Sequence, residues 1–324
     1  MEDGIRQQLI KPVGGFIFPA DDFIACEQFG EVPFYIKDWL PQRGKLLLYA
    51  PAKSGKSYLA NQMARCIGSE EVFLTQPTVR GRVLYLQFEL GESVLHDRLL
   101  STGKGYPNVF VGTSFSIKVD TKVGQDQVIR AMEAVKPNVL ILDPLYKALN
   151  GDENEASDVR KALDFLDKLI EMYNCSIVII HHAGKDISKR GRGSSVLEDW
   201  VDSFIRVTSI PAKDNMPMRI KVLPQFLRHA PLPEEPLEFL FENYEFHPMG
   251  AMFTVKEQVG MIMRELARPV SPKEIFDAKI GSNTSVYESI KELIKEGKVT
   301  KVERGEYKWI STTPLVKVEA NTKT

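Results

Sequence analysis

The chain has 324 residues, 43% of them hydrophobic and 26% charged, and its formal net charge is −1. This is globular composition, of a length for one large domain or two and able to bury a core without staples. It excludes a polycation, so any nucleic-acid contact has to come from a local basic patch. Cys26, Cys66 and Cys175 are far apart with no CxxC pair, which argues against a metal site or disulfide framework and fits a reducing cytosol. The opening MEDGIRQQLIKP is polar, with no signal-peptide core, and no apolar run approaches membrane-spanning length. A soluble cytoplasmic protein is expected.

Residues 1–40 mix Phe, Pro and Gly (GGFIFPADDF) and are expected as an irregular segment packed on the core. The short apolar run KLLLYA follows. SYLANQMARCIG then has apolar residues at helical spacing and ends in Gly68, read as a C-cap. GRVLYLQFEL reads as a buried strand closing on Glu89, SVLHDRLLS as helix and NVFVG as strand. DQVIRAMEAVKP is a helix stopped by Pro137, and NVLILDP a wholly apolar strand ending in Asp143. SDVRKALDFLDKLIEMYN is an amphipathic helix with Ser157 as its N-cap, and CSIVIIHH is another buried strand. Strands that are apolar on both faces, alternating with helices, predict an α/β fold with a parallel sheet covered on each side. After Glu198 the strands shorten and alternate (DSFIRV, MRIKVL, LEFLFE), which suits an antiparallel extension of the same sheet.

A boundary falls in FENYEFHPMGAMF, closing a domain over 41–248. Residues 252–312 then read as three helices: TVKEQVGMIMRELA, SPKEIFDAKI and SNTSVYESIKELIKEGK. The second opens at Ser271 with Pro272 at its first position. The hairpin VTKVERGEYKWI, turning at Arg304-Gly305, completes an order that resembles a winged helix. Residues 313–324 read as a flexible tail.

The chemistry starts at APAKSGKS, residues 50–57, which matches GxxxxGK[ST] except that Ala50 stands where the pattern has glycine. In such a loop successive backbone N–H groups point inward at a helix N-terminus, where the dipole also favours anions. Ala52, Lys53, Ser54, Gly55, Lys56, Ser57 and Tyr58 are the expected ATP-binding residues. Gly55 lets the chain pass close to phosphate, Lys56 reaches the outer phosphates and Ser57 holds Mg2+. The first glycine mostly eases the turn out of the strand, and alanine serves if the residue keeps a negative φ. A lysine-bearing surface turn would carry the same string. The apolar strand before it and the amphipathic helix after it are the context a phosphate loop requires.

Asp143, ending VLILD, is the expected second magnesium ligand, against the alternative of a strand-end cap. Glu89 sits at a strand C-terminus, where open α/β sheets form their crevice, and is the expected base that polarises water; an exposed charge is its alternative. His181 and His182 end SIVIIHH. An imidazole there can donate to a phosphate or report its loss, and His182 is the expected sensor, although strand-end histidines are commonly hydrogen-bonded core residues. AGKDISKRGRGSS then brings Lys185, Lys189, Arg190 and Arg192 into a glycine- and serine-rich loop. This is either a solvated loop or a segment that meets nucleic-acid phosphates.

Together these segments resemble the RecA-like ATPases of the AAA_25 type, close to the RepA hexameric replicative helicases of plasmids. The resemblance runs from about Phe18 to about Phe241. Its marks are APAKSGKS, VLYLQFE, LILDPLYKALNGDENEASDV, VIIHHAGK, RGSSVLEDWVDSFIRV and RHAP. It implies a RecA fold, ATP hydrolysis with Mg2+ at subunit interfaces, rings of six and DNA-stimulated activity. By the same resemblance Lys56 and Ser57 are the Walker A pair, Asp143 is Walker B, Glu89 the catalytic base and His182 the second His of an HH motif. Ring ATPases also take an arginine from the neighbouring subunit; Arg206 and Arg228 occupy the matching positions, and Phe226 stands where a KxR pair would place its lysine. In the winged helix, Ser282, Asn283, Thr284 and Tyr287 near the start of the last helix are expected to reach DNA, although Glu288, Glu292 and Glu296 offset Lys291 and Lys295. The expectation is a DNA-dependent ATPase. It would act as a homo-oligomeric ring helicase or translocase on single-stranded DNA, in replication of a plasmid, phage or mobile element. A non-unwinding loader or recombination mediator, and an ATP-switched DNA-binding regulator, are the alternatives.

Overall fold

The computed structural model describes residues 12–26, 31–51, 54–153, 155–183, 192–212, 217–248, 255–266, 268–278, 280, 282–303 and 305–310. The chain divides into two compact units, Met1–Met249 and Gly250–Thr324. Among the described residues no helix is long and apolar enough to cross a membrane.

The first unit opens with α1 (Ala20–Ala25), which buries none of its residues. Val13, Phe16, Ile17, Phe23 and Ile24 are all exposed. The expectation that the N-terminal segment packs on the core is therefore corrected for residues 12–26: a six-residue helix flanked by glycines and prolines presents too short an apolar stripe to dock. Packing begins at the antiparallel pair β1 (Phe34–Ile36) and β2 (Leu40–Pro41), where Tyr35, Ile36, Trp39 and Leu40 are buried.

The sheet is built from β3 (Lys45–Pro51), β4 (Val83–Gln87), β5 (Val109–Thr113), β6 (Val139–Asp143), β7 (Ser176–Ala183) and β8 (Ser203–Ile210), all mutually parallel. The antiparallel strands β9 (Arg219–Leu227), β10 (Leu237–Glu242) and β11 (Glu245–Pro248) continue it. The order is β11-β10-β9-β8-β3-β7-β6-β4-β5. DSFIRV thus pairs parallel to β3, and the antiparallel extension starts one strand later than expected.

The connecting helices are α2 (Lys56–Ser69), α3 (Glu92–Ser101), α4 (Lys122–Val135), α5 (Ala156–Tyr173) and α6 (Arg192–Trp200). Alternate residues of β3 divide the core. Leu46, Leu48 and Ala50 share one core with Leu59, Ala60 and Met63 of α2, whereas Leu47 belongs to the other, with Val128 of α4, Leu163 and Leu166 of α5 and Leu197 of α6. Full burial of one such leucine is worth roughly 1.5–3 kcal/mol, so β3 is held firmly on both faces.

Two helix ends differ from the sequence reading. α2 runs past Gly68 and closes at Glu70, whose N–H bonds the Cys66 carbonyl. Gly68 is glycine because a Cβ there would lie 2.2 Å from the Pro107 carbonyl oxygen. α5 starts before Ser157: Glu155 is its N-cap, and Asp158 accepts the Asp152 N–H at 3.3 Å, which anchors the entering chain in place of a serine cap.

The second unit holds α7 (Val255–Leu266), α8 (Pro272–Asp277), α9 (Asn283–Lys295) and the hairpin β12 (Val299–Glu303) and β13 (Glu306–Trp309). Ser271 and Glu274 form a reciprocal capping box at α8. Val270 and Tyr307 exchange N–H···O bonds at 2.8 and 3.0 Å, tying the hairpin to the turn before α8. Val259, Met263, Val270, Ile275, Val286, Ile290, Leu293 and Val299 form its core.

Candidate functional site

β3 ends at Pro51 and α2 begins at Lys56, with Gly55 as N-cap at φ 82°. Glycine takes this left-handed conformation without a Cβ penalty. A Cβ would also lie 2.8 Å from Phe246 Cζ and 3.0 Å from Met218 Cε. Ala50 is fully buried in the β3 ladder opposite His182. An extended strand residue has no need of positive φ, so alanine serves where the pattern has glycine. Ala52 and Lys53 lie outside the described residues. The Ser54 hydroxyl and Lys56 Nζ both donate to the Pro51 carbonyl oxygen, each at 2.7 Å. No side chain caps the first N–H groups of α2, which leaves them for an anion. Lys56 is buried; burial pushes its pKa down, opposed by the charges of Asp143 and Glu89.

Asp143, at the end of β6, is 1% exposed. Its carboxylate accepts the Tyr85 hydroxyl at 2.5 Å and Gln87 Nε2 at 3.1 Å. Burial pushes its pKa up, whereas the hydrogen bonds from Tyr85 and Ser57 and the charge of Lys56 push it down. Glu89 stands two residues beyond β4, which ends at Gln87 rather than at Glu89. The last ladder bond to β6 runs from the Phe88 N–H to the Asp143 carbonyl at 2.8 Å, and pairing ends beyond it. The Glu89 and Leu90 N–H groups turn to Gln87 Oε1, at 2.5 and 3.2 Å. From the single turn Leu145–Ala148 that follows β6, the Tyr146 hydroxyl donates to Glu89 Oε1.

Among the described residues no group of three or more His, Cys, Asp or Glu is placed to hold a metal by itself. The Ser57 hydroxyl and the Asp143 carboxylate, close enough for Ser57 to lower the Asp143 pKa, instead offer a pair of hard oxygen donors beside a phosphate loop. That donor set suits Mg2+, which keeps several waters and is bound by one or two protein oxygens together with substrate phosphates. The residues present therefore fit a magnesium–nucleotide complex.

An open cleft of about 320 Å3 runs from Gly55 and Lys56 past Glu89 to Tyr58, Arg98, Met218 and Phe241. Tyr58 packs on Phe241 with ring centroids 5.1 Å apart, and the Arg98 guanidinium lies 5.0 Å from the Tyr58 ring centre. The antiparallel extension closes this wall by bonding to α2. Gln62 donates to the Phe246 carbonyl at 2.9 Å and accepts its N–H at 2.8 Å. Arg65 Nε meets Glu245 Oε1 at 2.7 Å, with both side chains buried.

Among the described residues of the first unit, Arg206 and Arg228 do not line this cleft. His182 pairs through the β7 backbone with Ala50. Lys185, Lys189 and Arg190 lie outside the described residues, and Arg192 is the first residue of α6 rather than part of a loop. Arg206 is half-buried beside Tyr49 in the β3–β8 register, on the sheet face away from α2. Arg228 follows β9 and pairs with Asp202 at 2.9 Å, its side chain 53% exposed. Asp202 also accepts the Lys45 N–H at 2.9 Å, which puts Arg228 at the opposite end of β3 from the phosphate loop. In the second unit Ser282 caps α9, Asn283 and Thr284 are exposed, and Tyr287 is 46% exposed against Phe276. Lys256 holds Glu292 at 3.0 Å and Glu296 at 2.9 Å, which neutralises two of the acids that offset the α9 lysines.

Sequence reasoning missed Tyr85, Gln87, Tyr146, Arg98, Met218 and Phe241. Gln87 had a signal, an amide inside the otherwise apolar run before FE; the others had none. The sequence profile of the AAA_25 family, described as an AAA domain, matches residues 18–188. Among solved structures, the KaiC-like protein PH0186 from the hyperthermophilic archaeon Pyrococcus horikoshii OT3 is similar at a TM-score of 0.50. The two share 16% identity over 66% of this chain and 93% of that one. At that identity the likeness speaks for the fold, which is RecA-like.

Proposed function

The chain belongs to the AAA_25 family, and from that premise we propose that it is a RecA-like ATPase whose turnover is coupled to single-stranded DNA and which works as a ring-forming helicase or translocase. The observation that carries this reading is the register of β3 and β7, in which Ala50 lies opposite His182 and Pro51 opposite Ala183. Neighbouring strands are about 4.8 Å apart. β7 therefore ends beside the phosphate loop, and in the sequence Lys185, Lys189, Arg190 and Arg192 follow that strand end. A change at the terminal phosphate would be felt at the end of β7, after which the sequence supplies lysines and arginines suited to DNA phosphates.

In this reading the N–H groups of the loop and Lys56 hold the phosphates, and Ser57 and Asp143 would hold Mg2+. The ion, when bound, offsets phosphate charge. Glu89 takes the proton of a water whose oxygen bonds the terminal phosphorus, while the bridging P–O bond breaks and ADP leaves with its electron pair. Tyr58 and Phe241 give the nucleotide's ring an aromatic face. The transition-state arginine comes from a neighbouring subunit. Arg228 suits that role better than half-buried Arg206, because its side chain is half exposed at the far end of the sheet.

The test is the ATPase rate with and without single-stranded DNA, alongside oligomer mass. Lys56→Ala and Glu89→Gln abolish turnover, and Glu89→Gln still binds ATP. The Lys189/Arg190/Arg192→Ala variant keeps basal turnover and loses DNA stimulation. Equal rates with and without DNA in the wild type reject the coupling, and hydrolysis of ATP without displacement of a forked duplex favours a loader or mediator. The second unit supports another reading, an ATP-switched regulator. Its three helices and hairpin read as a winged helix, with Ser282, Asn283, Thr284 and Tyr287 facing duplex DNA. Tight sequence-specific duplex binding, with turnover unmoved by single strands, would favour it.

A further inference from the structure

We infer that Tyr146 is a positioning residue for Glu89, so that the turn following β6 sets where the base stands. The inference rests on the reading of Glu89 as the base. Glu89 lies in a bend beyond the β4 ladder, so strand pairing does not fix it. Two side chains do. Gln87, fully buried, grips the main chain by accepting the Glu89 and Leu90 N–H groups on Oε1, while its Nε2 donates to Asp143. With the amide so oriented, the backbone of Glu89 is tied to the proposed magnesium ligand. The carboxylate end is held separately, by the Tyr146 hydroxyl on Oε1.

Tyr146 itself is carried by a turn with firm anchors. Leu145 and Ala148 are buried on either side of it. The Val119 N–H donates to the Ala148 carbonyl at 2.8 Å, and Lys118 Nζ bonds the Lys147 carbonyl. Burial first, and then the neighbouring Glu89 carboxylate, raise the Tyr146 pKa, so its hydroxyl remains a donor at neutral pH. The other charged groups near the base are Lys56 from α2 and Asp143 from β6, both sensed together with Glu89, and Arg98 across the cleft. Each of them faces phosphate, magnesium or the base wall. Tyr146 reaches Glu89 from the turn Leu145–Ala148, which carries none of the residues assigned to phosphate or magnesium, so it acts on the base rather than on the nucleotide.

The test is single-turnover ATP cleavage and nucleotide affinity in the full chain. Tyr146→Phe keeps the ring and removes the hydroxyl. Misplacement of a reacting group by as little as 1 Å can cost about a hundredfold, and loss of the Tyr146 restraint, with the Gln87 grip intact, is expected to slow cleavage about tenfold. Nucleotide affinity should stay within about twofold, a split between binding and chemistry that a general loss of structure does not produce. In a Glu89→Asp background, whose shorter side chain is already out of Tyr146's reach, the same change should slow cleavage no further. An unchanged cleavage rate in Tyr146→Phe, an equal loss of affinity, or the same tenfold loss in both backgrounds overturns the inference. Glu89→Gln separates the two levels. If it still cleaves ATP, the assignment of the base fails and the inference with it. If it is inactive while Tyr146→Phe cleaves normally, only the inference fails.

Discussion

Replacing Glu245 with alanine should be among the most damaging single changes in the first unit. Glu245 is 2% exposed and holds Arg65, whose side chain is 4% exposed, at 2.7 Å. Removing one partner of a buried ion pair costs about 3–5 kcal/mol, because the other charge stays behind without compensation. Arg65 keeps a second partner in Glu71, which places the loss near the lower figure, about 3 kcal/mol. Lys104, the other partner of Glu245, is 45% exposed, and its loss adds little. For a unit of this size each kcal/mol moves the melting temperature by about 2–4 °C, so Glu245→Ala should melt about 6–12 °C lower by circular dichroism. Nucleotide affinity should fall with it, since the next residue, Phe246, packs over Gly55. The double change Arg65→Leu/Glu245→Leu removes both charges and should melt above either single leucine variant. A shift of less than about 2 °C in Glu245→Ala, or a double variant less stable than both singles, would refute the reasoning.

Gly68→Ala gains about 1 kcal/mol of helix propensity but drives a Cβ to 2.2 Å from the Pro107 carbonyl. Such overpacking costs about 3 kcal/mol, so urea unfolding should show a net loss, and a gain would contradict the close approach. Glu274 has a pKa of about 2, held down by the Ser271 N–H, by Arg268 and by the Ser271 hydroxyl. A carboxyl depressed in the folded state adds stability above its unfolded pKa, and this is lost as pH falls from the ordinary glutamate range through about 2. A carboxyl NMR titration should find that midpoint, and Ser271→Ala should raise it; an unmoved midpoint counts against the capping box. Burial pushes the Cys66 and Cys175 thiols up to about 12. In the folded chain only Cys26 should then react quickly with an aromatic disulfide reagent; rapid reaction of all three thiols would refute this.

Much of the fold was legible because its signals are local. An apolar run, a phosphate loop and a periodic helix are written consecutively from Lys45 to Ser69, and the structure keeps that order as β3, loop and α2. The misread ends are places where a distant contact overrode local punctuation. Gly68 looked like a helix stop but answers the Pro107 carbonyl. Ser157 looked like a cap, but Asp158 anchors the chain at Asp152 instead. The strand before Glu89 looked two residues longer because nothing local says that Gln87 will capture the next N–H groups.

The cleft divides along the same line. The groups proposed to meet phosphate, Gly55, Lys56 and Ser57, are neighbours in sequence and carry a pattern. Those that shape the rest of the cleft come from four separate stretches, around Gln87, Arg98, Tyr146 and 218–246, and carry none. Alternation in MRIKVL and LEFLFE foretold antiparallel strands, yet it is silent about the curl that brings Phe246 onto Gly55. That curl is fixed by pairings between Gln62 and Phe246 and between Arg65 and Glu245, each about 180 residues apart in the chain. Since α2 carries the phosphate loop at one end and these anchors farther along, the wall of the cleft and the stability of the domain depend on one helix. A change in β11 that never touches nucleotide should therefore register in both, and substitutions at Gln62 or Glu245 should shift melting and nucleotide affinity in the same direction.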